Sequence, residues 1–434
     1  MKTATFALVA LFTACAHDRT HAPALRPAPA TTSRAGSSPD APVEETSLRF
    51  VENDYVGALA QARTRHVPLF VDAWAPWCHT CLSMRAFVFP DPGLRPLWKR
   101  FVWLSLDTER DENAAVVARL APSVLPTLYV IDPASERVTL AWPGSLTASE
   151  LLTLLGDAAI GAGPDGPLAV DAQVARLSEE KRLPECVTAG ADAAPRMPPG
   201  SAVADVVRAA IGCAEDLAKD APERARLPEL AELGERIASD RAQPILADDR
   251  SDLYDYVVFA WQELGRKDDA RRLALAWATF LEGEAAAAPN PAARAVFDAH
   301  RLRAYLALDE PEKAVPMLEQ SERDFPGDYN PPARLAAALM ALKRTDEALA
   351  ASQRALGRAY GPRRLNLWSL QADILVARGD RRGAADALRA ALAYGASASL
   401  TRSYPKQLES LRRRLAGLDG GPDATPVDGA PPRK

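Results

Sequence analysis

Two cysteines three residues apart, Cys78 and Cys81, are the side chains of this 434-residue chain best suited to chemistry. A Cys-x-x-Cys pair can relay two electrons by closing and opening a disulfide, or supply half of a zinc site. Zinc needs two further ligands, and there is no second Cys-x-x-Cys and only five histidines, so no metal is expected. Redox exchange is the expected chemistry, with a structural or degenerate pair as the alternative, and it needs no organic cofactor. The thiolate is the attacking species. A helix beginning at Cys78 would turn free backbone N–H groups and the positive end of its dipole toward that sulfur. Cys78 is therefore expected as the nucleophile. Cys81 follows on the same helix face as the resolving thiol.

The elements that must position this pair are legible around it. The apolar run Val67 to Ala73 reads as a buried central strand leading into Trp74-Ala75-Pro76-Trp77-Cys78. A helical stretch follows until Pro90 and Pro92 stop it. Phe101 to Leu106 and Thr127 to Asp132 read as further strands, with a helix over Asp111 to Leu120 between them. Asp72 stands on the first strand, six residues before Cys78. A carboxylate buried there would have a raised pKa.

The strand, the Trp-Ala-Pro-Trp-Cys-His-Thr-Cys motif and Leu125-Pro126-Thr127 about 45 residues later resemble the thioredoxin superfamily at three separated points. Cys78 to Asp91 and Phe101 to Asp132 are similar in order and spacing to the C-terminal thioredoxin domain of the periplasmic electron-transfer protein DsbD and its free-standing relatives. The resemblance implies a thioredoxin fold over about 110 residues. It also implies that Asp72 relays the proton of the second cysteine, and that Pro126 is a cis-proline facing the dithiol with Leu125 binding substrate through its backbone. An ordinary trans proline in a strand-entry turn is the alternative. Trp77 is expected to line the mouth of the site, while Trp74 serves core packing or function equally well. Two positions depart from the family. His79 lies between the cysteines, either stabilising the thiolate as imidazolium or acting as a solvated spacer. Arg85 replaces an acidic residue, a swap of sign that favours the thiolate and makes it a modulating residue.

The N-terminus reads as export. Lys2 precedes a short apolar run, Ala4 to Ala14, too brief to span a bilayer, and Leu11 to Cys15 resembles a lipobox with Phe12 in place of the usual Leu. Residues 1–14 are expected as a lipoprotein-type signal peptide and Cys15 as the lipidated N-terminus; an ordinary cleaved signal is the alternative. Residues 15–47, rich in Pro, Ala, Ser and Thr, read as a disordered tether, and 48–160 as the thioredoxin-like domain.

Amphipathic helical stretches follow. Residues 165–250 show no clear repeat, whereas 251–416 carry tetratricopeptide-like units in which Ala314, Ala348 and Ala384 recur at the position of closest helix approach. A degenerate unit is centred on Gly265 and Ala270. Cys186 and Cys213 form either a structural disulfide across a helix hairpin or two buried thiols. Residues 417–434 read as a disordered tail.

The expected architecture is thus an α/β thioredoxin fold followed by an all-α tetratricopeptide-like helical repeat domain. A net charge of −5 argues against nucleic-acid binding. The expected function is thiol–disulfide exchange in the bacterial cell envelope, on the periplasmic side and lipid-anchored. Its partners would be disulfide-containing exported proteins or a redox protein, with a protein partner for the repeats. The rival is an interaction scaffold whose thioredoxin fold is mainly a docking module.

Overall fold

The computed structural model describes residues 48–158 and 166–419. The expected signal peptide, the tether with Cys15 and the tail beyond residue 419 lie outside the described residues. Strands β1 (Val51–Glu52), β2 (Leu69–Trp74), β3 (Val102–Asp107), β4 (Thr127–Ile131) and β5 (Val138–Pro143) form one sheet in the order β1-β3-β2-β4-β5. The first three are parallel, and β4 runs antiparallel to both of its neighbours, β2 and β5. Leu69 and Val71 face one core with Leu104 and Tyr129. Phe70 faces the other with Trp103, Leu128 and Val130. Strand alternation sends Asp72 to the Phe70 side. Helices α1 (Tyr55–Arg65), α2 (His79–Ser83), α3 (Ala114–Leu120) and α4 (Ala148–Ala158) flank the sheet, and α2 widens into one π-type turn over Met84–Val88.

The rest is helical: α5 (Gly166–Glu179), α6 (Leu183–Ala193), α7 (Ser201–Asp216), α8 (Leu227–Ser239), α9 (Ala247–Glu263), α10 (Lys267–Ala287), α11 (Asp298–Leu308), α12 (Ala314–Asp324), α13 (Asn330–Ala341), α14 (Thr345–Arg358), α15 (Arg363–Ala377), α16 (Arg381–Tyr394) and α17 (Pro405–Asp419). Helix α9 crosses the expected 250/251 boundary, and α17 continues into the segment expected to be disordered.

One turn recurs. Lys181, Gly265, Asp309, Lys343 and Gly379 each adopt positive φ, between 57° and 80°. In each case the next residue's N–H donates to the carbonyl five residues before it, as Asp380 does to Leu375 at 2.9 Å. Five residues after these positions stand Cys186, Ala270, Ala314, Ala348 and Ala384, all buried. The small side chain lets the second helix of each hairpin close on the first. The unit centred on Gly265 and Ala270 therefore has the same turn as the clearer ones. So does α5–α6, in the segment where the sequence shows no clear repeat: Lys181 takes the glycine position and Cys186 the alanine position.

Cys186 and Cys213 are bonded, S–S 2.15 Å, tying α6 to α7. The helices approach so closely that a Cβ on Gly190 would meet the Ala210 Cβ at 2.6 Å. The crosslink spans 27 residues. Closing a loop of that size removes about 3.5 kcal/mol of unfolded-chain entropy. The Cys186→Ala/Cys213→Ala double variant should lose about that much in denaturant unfolding, and a midpoint equal to that of wild type would show that the bond adds no stability.

Candidate active site

Strand β2 delivers the chain into the turn Ala75–Trp77, and α2 begins immediately after Cys78. Cys78 and Cys81 are disulfide-bonded, S–S 2.03 Å. The Cys81 N–H donates to the Cys78 sulfur at 3.0 Å. An N-terminal amide of the helix is thus aimed at the atom that carries negative charge on reduction. Cys78 is 4% exposed and Cys81 fully buried, so the first sulfur is the more reachable.

Behind the dithiol, Asp72 is completely buried, and neither of its carboxylate oxygens has a hydrogen-bond partner among the described residues. Burial pushes its pKa up to about 7; the Arg85 guanidinium pulls against this, and Glu52 adds to it. Arg85 stacks on Trp74, its guanidinium carbon 4.2 Å from the ring centroid. It donates to Ser105 Oγ at 2.6 Å and lies 3.9 Å from Asp72 and 3.4 Å from Glu52. Its charge therefore bears on the buried carboxylate. Trp74, in turn, packs beside both cysteines.

In front of the dithiol, the Leu125–Pro126 peptide is cis. Two hydrogen bonds fix this loop, from Gly144 N–H to the Pro126 carbonyl at 2.8 Å and from Thr127 Oγ1 to the Val124 carbonyl at 2.6 Å. Leu125 packs against Ala75 and the cysteines, and Val124 beside it is 42% exposed.

The other side of the mouth is taken by the helical region. Trp77 Nε1 donates to Glu109 at 2.7 Å, and the hydroxyl of Tyr329, at the start of α13, reaches the same carboxylate at 3.2 Å. Arg363 lies over the Trp77 ring, and Asn330 donates to the Pro76 carbonyl at 3.1 Å. Tyr360 donates to Asp107 at 2.7 Å. Burial pushes the Glu109 pKa up to about 8, with Arg363 opposing it. Sequence reasoning assigned no role to Glu109, Tyr329 or Arg363. Glu109 and Tyr329 are 220 residues apart, and no local pattern links them.

His79 is held rather than solvated. Its Nδ1 lies 3.1 Å from the carboxylate of Asp248, a fully buried residue of α9 that also meets His300 Nε2 at 2.8 Å. Burial disfavours the imidazolium of His79, but the charges of Asp248 and Asp252 and the hydrogen bond to Asp248 together outweigh this and raise its pKa. A proton held there is balanced by Asp248, so it presents little net charge to Cys78. Folding also brings together donors whose spacing in the sequence gave no metal signal. His79, Asp252 and His300 place three donor atoms within 4.8 Å of one another. The histidines come from opposite parts of the chain, which is why their spacing in sequence carried no signal.

Residues 51–133 match the family described as thioredoxin-like. The thiol:disulfide interchange protein DsbD of Vibrio vulnificus (strain YJ016) is 30% identical over 109 residues, which is 24% of this chain and 18% of that protein. Similar solved structures cover mostly the helical region. They include MamA from Desulfovibrio magneticus RS-1 (15% identity, 45% of this chain and 96% of that one, TM-score 0.27). The TPR2AB domain of yeast Sti1 is 15% identical and matches 58% of this chain and 98% of its own, TM-score 0.25. BtubC from P. vanneervenii is 13% identical and matches 62% and 97%, TM-score 0.34. With the dithiol at the head of α2, the buried Asp72 on β2 and the cis-proline before β4, the segment at residues 51–133 is a thioredoxin-like domain, continued here by an all-helical region.

Proposed function

We propose that this chain is an extracytoplasmic thiol–disulfide oxidoreductase, anchored by a lipid on Cys15 at the periplasmic side of a bacterial envelope. Its substrates are disulfides of exported proteins or of a redox partner, and its helical hairpins take a protein partner. The observation that carries this reading is the Cys78–Cys81 bond at the head of α2, flanked by buried Asp72 and cis-Pro126. In the reducing direction, the Cys78 thiolate attacks a substrate sulfur, forming a mixed disulfide and releasing one substrate thiolate. Asp72 takes the Cys81 proton, and the Cys81 sulfur attacks Cys78. The second substrate thiolate leaves, and the two electrons of the dithiol have passed to the substrate. Oxidation runs the same steps backwards. Leu125 and Val124 border the side on which substrate reaches Cys78, since Trp77 and His79 are engaged by the helical region.

A second reading, a docking scaffold, is favoured by the contacts of Asn330 with Pro76, Arg363 with Trp77 and Asp248 with His79. Redox titration of the full chain against glutathione separates the two. An oxidoreductase gives a reversible two-thiol transition between about −270 and −120 mV, the span of known family members, and catalyses insulin reduction. A pair that stays oxidised below about −300 mV and turns nothing over supports the scaffold.

A further inference from the structure

The cluster at the junction of the two regions has more structure than a buried histidine pair needs. Asp248 and Asp252 stand one turn apart on α9, on one face. Asp248 meets one nitrogen of each ring, His79 Nδ1 and His300 Nε2. The rings are edge-to-face with centroids 4.2 Å apart. In neutral imidazoles, protons directed at Asp248 leave the lone pairs on His79 Nε2 and His300 Nδ1. Those two nitrogens lie 4.0 and 3.9 Å from Asp252 Oδ1. No partner stands within hydrogen-bond distance of either among the described residues, although His300 is 1% exposed.

We propose that His79 Nε2, His300 Nδ1 and Asp252 Oδ1 bind a divalent first-row transition metal, with Asp248 as the carboxylate that orients both histidines. Donors around a tetrahedral ion at ~2.0–2.1 Å are roughly 3.3 Å apart, so the 4.0 and 3.9 Å spacings to Asp252 Oδ1 close by roughly 0.6–0.7 Å as the ion binds. Two imidazoles and one carboxylate suit Zn²⁺ and its neighbours better than Mg²⁺ or Ca²⁺. Charge also closes: the two aspartates balance a dication while both rings stay neutral. Asp252 is 24% exposed on its side chain, which gives the ion a route in and leaves a position for water. The site also joins the two regions, because His79 comes from the thioredoxin-like domain and the other ligands come from α9 and α11.

The test uses the full chain carrying Cys15→Ser, with both disulfides intact so that no cysteine can ligate, after stripping with EDTA. Titration with Co²⁺ should give intense visible d–d bands that saturate at one equivalent and are bleached by Zn²⁺. Zn²⁺ should raise the Tm of wild type by several degrees, since it binds only the folded arrangement. Asp252→Asn, at a partly exposed position, should fold with an unchanged metal-free Tm but bind at least 10-fold more weakly and lose the Zn²⁺ shift. Asp248→Asn, one shell out, should weaken binding about 10- to 100-fold. Co²⁺ that keeps its pale aqueous spectrum, or binding of equal affinity in wild type and Asp252→Asn, overturns the site. Because the cysteines stay oxidised throughout, either outcome is independent of whether the protein is an oxidoreductase.

Discussion

Cys78→Ser is expected to abolish disulfide exchange to background, whereas Cys81→Ser keeps the first step and stops at the second. The Cys78 sulfur already receives the Cys81 amide at 3.0 Å, and that hydrogen bond strengthens when the acceptor becomes a thiolate. Serine in its place has no accessible anion at neutral pH and cannot open a disulfide. Without Cys81, the mixed disulfide on Cys78 has no internal nucleophile to resolve it and accumulates, visible as a non-reducing adduct of the full chain with its substrate. In the reduced wild type, a small alkylating agent should label Cys78 well before the fully buried Cys81. Faster labelling of Cys81, or an adduct that forms in Cys78→Ser but not in Cys81→Ser, would reverse the roles.

The second large effect belongs to Asp72. Its pKa is raised from 3.8 to about 7 in the folded protein, chiefly by burial. Between those values the folded state binds more protons than the unfolded chain, so stability falls as pH rises through the window and stays reduced above it. A shift of this size corresponds to about 4 kcal/mol at 1.4 kcal/mol per unit. Asp72→Asn carries no charge to desolvate. It should be more stable than wild type by about 2–4 kcal/mol at pH 8 and lose the advantage near pH 4. The same substitution removes the proton acceptor for Cys81 and should slow resolution of the mixed disulfide by about 10²-fold at pH 7. In wild type that step should accelerate as pH rises through about 7. Arg85 acts through this carboxylate: its charge lowers the Asp72 pKa, so Arg85→Met should move the acceleration to higher pH, by roughly one unit. A stability difference between wild type and Asp72→Asn that is the same at pH 4 and pH 8 would remove Asp72 as the titrating group.

The helical region's hold on the active-site turn gives these experiments their setting. Pro76, Trp77 and His79 would all border the approach to Cys78 in an isolated thioredoxin-like domain, and here each has a partner from α9, α13 or α15. Phe87, just beyond α2, stacks against Phe297 at 5.8 Å. The surroundings of Cys78 are therefore built by both regions, and Val124, beside Leu125, is 42% exposed.

What the sequence determined by itself is what short-range physics encodes. The apolar run of β2, the cysteines at the head of α2 and the proline before β4 all fall within about 60 residues, in an order few other folds use. The hairpins of the helical region were legible where glycine or alanine marked them. At Lys181 and Cys186 the same turn is built from residues that carry no such signature, because lysine tolerates a single left-handed position and cysteine is nearly as small as alanine. Only the tertiary structure decided the environment of the dithiol. Asp248 is 169 residues from His79, and Tyr329 is 220 from Glu109. Nothing in local periodicity or spacing encodes such pairs. They exist because burying the apolar faces of α9, α11 and α13 brings their polar positions against the thioredoxin-like domain, where each carboxylate then needs a donor.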